Sequence, residues 1–398
     1  MQRRWSVLAI LFLARMSLAY QFQTIAAITP VLRTELVGFD LGDAGLLIGL
    51  YLLPGMVLPL AGGAISHVAG DRFAVTLGFV LAIVGGLIPI LLPGWTALVV
   101  GRLLAGAGGI MVSVIMTKMV ADWFANSEIA GAMAVFVNCW PAGIIIALFS
   151  LPTVAASWGS HGAFIVSTVI VGCGLALFLG FYGAMRSDAI ATDGAARPRV
   201  AMSRGVIVAL IAAGLIWACY NVASTITFSF GVTLLTERGY SAAAAASTVT
   251  LVLFVSMVSV PLGGFFADRV SRASLILIIG SVMFAALLVA AGRSMQSALI
   301  FAAIGLVGGF PVGVIMQMPA RMLRPEQRAI GMGIFYTIYY GGLVLGTAVG
   351  GELADRWETS SAAFDFAAVL VAVCPLLLLA VRQSPAHAEL VQTASKAG

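Results

Sequence analysis

The stretch GGIMVSVIM at residues 108–116 returns as GGFPVGVIM at residues 308–316, identical at six of nine positions and displaced by 200. Gly, Val, Ile and Met match cheaply in an apolar chain, so one such pair is only suggestive. A second pair repeats the spacing: GGAISH starts at Gly62 and GGFFAD at Gly263, an offset of 201. Two markers at one spacing, near half of the 398 residues, point to an internal duplication.

The chain around these markers is built for hydrocarbon. It is 61% hydrophobic and 9% charged with a mean hydropathy of +1.08, whereas soluble domains carry about 25% charged residues. Apolar blocks alternate with short polar punctuation, each near the roughly 20 residues that a helix needs to cross a bilayer. Strand-type alternation is absent, so helices are expected to do the crossing. Twelve spans are expected near 5–31, 44–66, 74–93, 96–119, 130–153, 163–185, 205–234, 244–267, 274–292, 297–319, 329–352 and 362–381. The first is too long, and its polar residues too central, for a cleaved signal peptide. The polar stretch RSDAIATDGAARPRVAMSR at 186–204 reads as a cytoplasmic linker. The expected fold is therefore an all-α membrane protein of two pseudo-symmetric six-helix bundles, residues 1–185 and 205–381, with a cytoplasmic tail at 382–398.

Charge sets the expected orientation. With both termini in the cytoplasm, only Arg33, Arg238, Arg293 and Arg356 of the 21 basic residues fall outside, and Arg15 and Arg102 lie within spans. This is the asymmetry of the positive-inside rule. The net charge of +5 thus reflects topology and anionic inner-leaflet lipid, not nucleic acid, because the basic residues are spread over many loops. Cys139, Cys173, Cys219 and Cys374 fall inside spans without a C-x-x-C pair and read as small core residues. His67, His161 and His387 lie in two opposite loops and the tail and form no metal cluster, and no cofactor is expected. The chain has no H-E-x-x-H, no G-x-S-x-G, no phosphate loop and no soluble ATPase domain, so catalysis is not expected. Gly106-Ala-Gly108 resembles a dinucleotide loop only superficially, since Met111 stands where the later glycine belongs.

Arg15, in LFLARMSLAYQFQ (11–23), sits near the centre of the first span, where an arginine costs about 3 kcal/mol on insertion scales. Ala19, Phe22, Gln23, Ala26 and Thr29 share its side of the helix, a small and polar face suited to a cavity wall. Arg102 recurs on the fourth span with Gly106, Gly109, Ser113 and Thr117 on its stripe, where glycines also permit close helix packing. No Asp or Glu lies in the middle of a span, although Glu35, glutamines, tyrosines or backbone carbonyls could satisfy part of each arginine's need. Arg15 therefore has two open roles, ligand to an anion or holder of helices, and for Arg102 the structural or coupling role leads. Guanidinium suits the first role, because its planar fork can hold a planar oxyanion through two parallel hydrogen bonds.

The second half offers aromatics instead of charge. Trp217, Tyr220, Asn221, Ser224 and Phe228 fall on or near one stripe of the seventh span, and the eleventh carries Tyr336, Tyr339 and Tyr340. Such stripes are more often packing than ligand boxes. By the repeat offset Trp140 corresponds to Tyr340, and Asn138 lies near Trp140. Pro141 and Pro311 interrupt the fifth and tenth spans and are expected to bend them.

These motifs resemble the major facilitator superfamily of membrane transporters over nearly the whole chain. The family signature G-x-x-x-D-R-x-G-R is matched by GFFADRVSR (264–272), with Asp268, Arg269 and Arg272 in place and Ser271 for glycine. In the first half, GAISHVAGDR (63–72) sets His67 where the family has aspartate, with Arg72 beyond it. In the family that aspartate is thought to pair with a neighbouring helix end and steady one face of the transport cycle. GRLLAGAGG (101–109) fits a further family signature on the fourth helix. RMSLAYQFQTIAAITPVL (15–32), TKMVADWF (117–124) and IAGAMAVFVNCWPAG (129–143) look most like the branch associated with cyanate and nitroimidazole transport.

The resemblance implies transport by alternating access around a midplane cavity between the halves. The expected cargo is a small anion or weak organic acid held by Arg15, Phe22, Gln23, Asn138, Trp140, Trp217, Tyr220, Asn221, Tyr336 and Tyr340. Arg102, Asp268, Arg269, Arg272, His67 and Arg72 are expected to serve coupling or gating. Protons are a candidate co-substrate, the chain is expected to act as a monomer, and the location is a bacterial inner membrane. The alternative is an efflux pump for hydrophobic uncharged or cationic compounds, which usually calls for a membrane-embedded carboxylate.

Overall fold

The computed structural model describes residues 2–36, 38–39, 41–124, 128–182, 202–270, 273–294 and 297–382. Every regular element among them is helical. In order these are α1 (Gln2–Glu35), α2 (Leu41–Leu52), α3 (Leu58–Ala69), α4 (Asp71–Leu91), α5 (Trp95–Phe124), α6 (Ile129–Val137) and α7 (Cys139–Leu177). There follow α8 (Arg204–Glu237), α9 (Ala242–Arg269), α10 (Ala273–Arg293), α11 (Ser297–Gly309), α12 (Val312–Met322), α13 (Arg328–Arg356) and α14 (Ser360–Arg382). Most of the linker 186–204 and the tail beyond residue 382 lie outside the described residues.

Ten described helical stretches are long and apolar enough to cross a membrane, and α2 with α3, bent by 50°, makes an eleventh crossing. Ile129–Phe181 is one stretch of 53 residues, roughly 80 Å at 1.5 Å per residue, far more than a hydrocarbon layer of about 30 Å. It breaks at Gly159, whose φ of 66° lies in the left-handed region that a side chain disfavours. Divided there, the helices make twelve crossings. The second crossing departs from a straight helix: Pro54 and Pro59 flank Val57, and a 3₁₀ turn over Leu53–Met56 carries the bend. Pro141 follows the turn at Asn138 that separates α6 from α7, and Pro311 caps α12 just beyond α11. The regular helix is interrupted beside each of these prolines.

The helices form two compact units, residues 1–123 with 136–199, and residues 200–398 with 124–135. In the first, α1 packs along α7, α7 also against α4, and α3 against α4. In the second, α8 packs on α13 and α14, α9 on α11, and α10 on α14. Residues 128–135 join the second unit because Ala130 and Ala134 lie against Gly264 and Gly313, where only glycines leave room.

The duplication has a structural counterpart inside each unit. Glu35, closing α1, accepts the Ser160 N–H at 3.0 Å beside the Gly159 break, and Glu237, closing α8, accepts the Ser360 N–H at 3.2 Å and its hydroxyl at 2.7 Å. Each carboxylate satisfies orphan N–H groups where a later crossing begins, complementing the positive end of the helix dipole. Replacing Glu237 by Ala is expected to cost about 1 kcal/mol, seen as a lowered unfolding midpoint. An unchanged midpoint shows that water caps α14 equally well.

Candidate functional site

Arg15 lies in the first unit with its side chain buried, 8% exposed. Its Nε donates to Ser113 Oγ on α5 at 3.3 Å. The guanidinium lies 4.8 Å from the Phe136 ring centroid and 5.8 Å from that of Trp140. Cation–π contacts of this kind contribute about 0.5–2 kcal/mol each, enough to offset much of the burial cost while leaving the charge in place. The aromatic surface continues from Trp140 to Phe22 at 5.3 Å and from Phe22 to Tyr51 at 5.2 Å. Phe22, Gln23 and Trp140 are half-buried and Asn138 is buried. Arg15, Phe22 and Trp140 are thus brought together, with Asn138 in the turn before α7.

At the other end of this row stands Arg102, 5% exposed, 4.7 Å from the Tyr51 ring. Its Nε donates to the Leu47 carbonyl at 3.1 Å, and its two terminal nitrogens donate to the carbonyls of Gln21 at 3.1 Å and Phe22 at 2.8 Å. Three charge-assisted hydrogen bonds to the backbone of α1 and α2 tie those helices to α5. The two intramembrane arginines therefore differ: Arg102 donates to three main-chain carbonyls, whereas the contacts of Arg15 include a hydroxyl and two ring faces. Glu35, a sequence candidate for balancing these cations, instead caps the helix at Ser160.

In the second unit Trp217 lies tilted against Tyr339 at 5.9 Å, and Tyr339 joins Tyr340 at 4.6 Å and Tyr336 at 5.9 Å. Tyr220 departs from this cluster. Its hydroxyl pairs with Ser281 on α10 at 2.8 Å and its ring with Phe284 at 5.6 Å, so it is spent on helix packing. Asn221 donates to the Trp217 carbonyl of its own helix at 2.9 Å.

Of the signature residues, Asp268 accepts the N–H groups of Ala130 at 3.0 Å and Gly131 at 2.7 Å, at the N-terminus of α6. Arg269 and Arg72 are exposed and His67 is half-buried, while Arg272 lies outside the described residues. Where the first half lacks the signature aspartate, the carboxylate stands four positions later: Asp71 accepts the Ser66 hydroxyl and pairs with Lys118 at 2.6 Å. Asp122 holds the same ammonium at 3.0 Å. Neither Lys118, which the expected topology sets on the cytoplasmic side, nor Asp71 is among the expected site residues. Asp122 stands at i+4 from Lys118, the spacing of a helical ion pair, and was the available signal.

Among the described residues, helices enough for about twelve crossings, grouped in two compact units and with a buried arginine on the first helix, define a class of multi-pass membrane protein. The family model described as Major Facilitator Superfamily matches residues 11–247 and 215–397. The chain belongs to the Major Facilitator Superfamily. Among solved structures, a double Trp mutant of XylE aligns with a TM-score of 0.79 at 14% identity, covering 96% of each chain. The fucose:proton symporter FucP of E. coli aligns at 0.72 and 16% identity over 94% of this chain and 98% of its own. The human organic anion transporter MFSD10 aligns at 0.71 and 16% identity over 94% and 99%. No curated protein sequence matches.

Proposed function

We propose that this transporter moves a small anion or weak organic acid, with Arg15 as the charged ligand. The observation carrying this reading is the setting of Arg15: a buried cation at the middle of its span, held along one edge by Ser113 and flanked by Phe136 and Trp140. Gln23, Phe22 and Asn138 are proposed to shape the same site in the first unit, favouring a compact planar cargo. Trp217, Tyr336 and Tyr340 are proposed as an uncharged cargo-contacting surface of the second. Resemblance of residues 15–32 and 117–143 to the cyanate and nitroimidazole branch supports cargo of that size. Asp268 on the α6 N-terminus supports a gating role for that residue, and the basic bias supports cytoplasmic termini in a bacterial inner membrane. Binding that neutralises Arg15 would favour whichever state holds the anion more tightly, and only such differential affinity drives a conformational cycle.

The test is the unfolding midpoint of the purified protein with formate, nitrate, cyanate and acetate, set against neutral and cationic drugs. A ligand at a hundred times its Kd stabilises the folded state by about 2.7 kcal/mol. One anion class should raise the midpoint of the wild type, and both Arg15→Ala and Arg15→Gln should lose that shift. An anion shift that survives both substitutions, or stabilisation by drugs alone, overturns the assignment.

A further inference from the structure

On another face of α1, Gln21 lines a cavity with Thr24, Gly86, Arg102, Phe164 and Ser167. About 20 Å³ of it is open to a water centre, where one bound water needs roughly 10–15 Å³. Gln21 is 3% exposed, and its Nε2 donates to the Ala82 carbonyl at 2.9 Å. That bond decides the amide orientation, since the flipped form would set two acceptors against each other. The Oε1 atom is buried and has no hydrogen-bond partner.

The remaining lining defines what could fill the space. Thr24 donates its hydroxyl proton to the Tyr20 carbonyl and Ser167 to that of Phe164, so both oxygens face any guest as acceptors. Arg102 has three N–H groups engaged with carbonyls, and a guanidinium carries five. A cation would be repelled by Arg102, and an anion would meet three acceptor oxygens. A guest that donates twice and accepts once satisfies the set.

We propose that this cavity binds one ordered water, donating to Gln21 Oε1 and to a hydroxyl oxygen of Ser167 or Thr24, and accepting from Arg102. The water bridges α1, α5 and α7 behind the Arg102 anchor and completes the hydrogen bonding of Gln21. It is independent of the cargo proposed for Arg15.

X-ray radiolytic labelling in ¹⁸O-water tests this on the full chain in lipid nanodiscs, because radicals at a buried site arise only from water held there. Phe164, 7% exposed, should take up label in the wild type and lose it in Gln21→Met, which keeps the length of the side chain and removes the amide. Labelling of the exposed Trp357 should be equal in both. An unlabelled Phe164 in the wild type, or equal labelling in Gln21→Met, overturns the proposal. Should Gln21→Met not fold, Gly86→Ala carries the same expectation, as its methyl would press on the Thr168 hydroxyl and come within 2.7 Å of Gln21 Nε2. A density map resolving waters should show one peak within hydrogen-bond reach of Gln21 Oε1, and an empty cavity refutes it.

Discussion

Replacing Lys118 by Met is expected to destabilise the protein by about 3 kcal/mol, the lower end of the cost of breaking a buried ion pair. The Lys118 side chain is 9% exposed and that of Asp71 16%, with nitrogen–oxygen separations of 2.6 and 3.0 Å to Asp71 and Asp122. Removing the ammonium takes from both carboxylates, Asp71 and Asp122, the cation that they share. Asp71 keeps the Ser66 hydroxyl, which answers one oxygen only. The triple variant Lys118→Met, Asp71→Asn, Asp122→Asn should recover most of the loss, because replacing all partners removes the stranded charge. Retention of monodisperse protein on heating reads both effects. A single variant as stable as the wild type would show that solvent screens these carboxylates as fully as a surface pair.

The second large effect is expected at Gly106. A Cβ there would overlap the backbone of Tyr51, whose Cα lies 2.8 Å from the position it would take. The obstacle is main chain and cannot rotate away, so α5 must separate from the bent second crossing. The loss should grow through Ala, Val and Leu and exceed about 3 kcal/mol for Gly106→Leu, at the upper end of overpacking penalties. Gly172→Ala, where nothing lies within 4 Å, serves as the control and should leave the unfolding midpoint unchanged. Separation of α5 also pulls Arg102 from the Leu47 carbonyl that it holds at 3.1 Å, so the midpoint and the Arg102 anchor should fail together. A Gly106→Leu variant as stable as the control would mean that the two helices are not in close contact.

Much of the candidate site is legible because hydropathy flags a charge within an apolar span whatever its neighbours are. Arg15 and Arg102 stand out on that ground alone, and Trp140 and Phe22 followed from their spacing. Other residues were legible only in outline. Gln23 falls on the Arg15 stripe, while Gln21, two positions earlier, is the buried amide with its own cavity. Tyr220 shares a helical stripe with Trp217, yet α10 takes it through Ser281 and Phe284. A stripe defines a direction on a helix but not which helix lies there. Topology alone sets Lys118 on the cytoplasmic side without naming its partners, and the missing signature aspartate at His67 draws attention away from Asp71.

The amino-acid sequence by itself determined that this chain crosses a membrane about twelve times as helices, that its two halves are copies of one plan, and that two arginines lie in hydrocarbon. These properties depend on composition, length and spacing, and the bilayer enforces them one segment at a time. Only the tertiary structure decided that Arg102 is tied to three carbonyls while Arg15 rests on Ser113, Phe136 and Trp140, that Lys118 holds two aspartates, and that Glu35 and Glu237 cap distant helices. Those outcomes depend on the rotation and close approach of helices far apart in the chain. Hydrogen bonds and ring contacts fall off within about an ångström of misplacement, a precision that hydropathy does not encode.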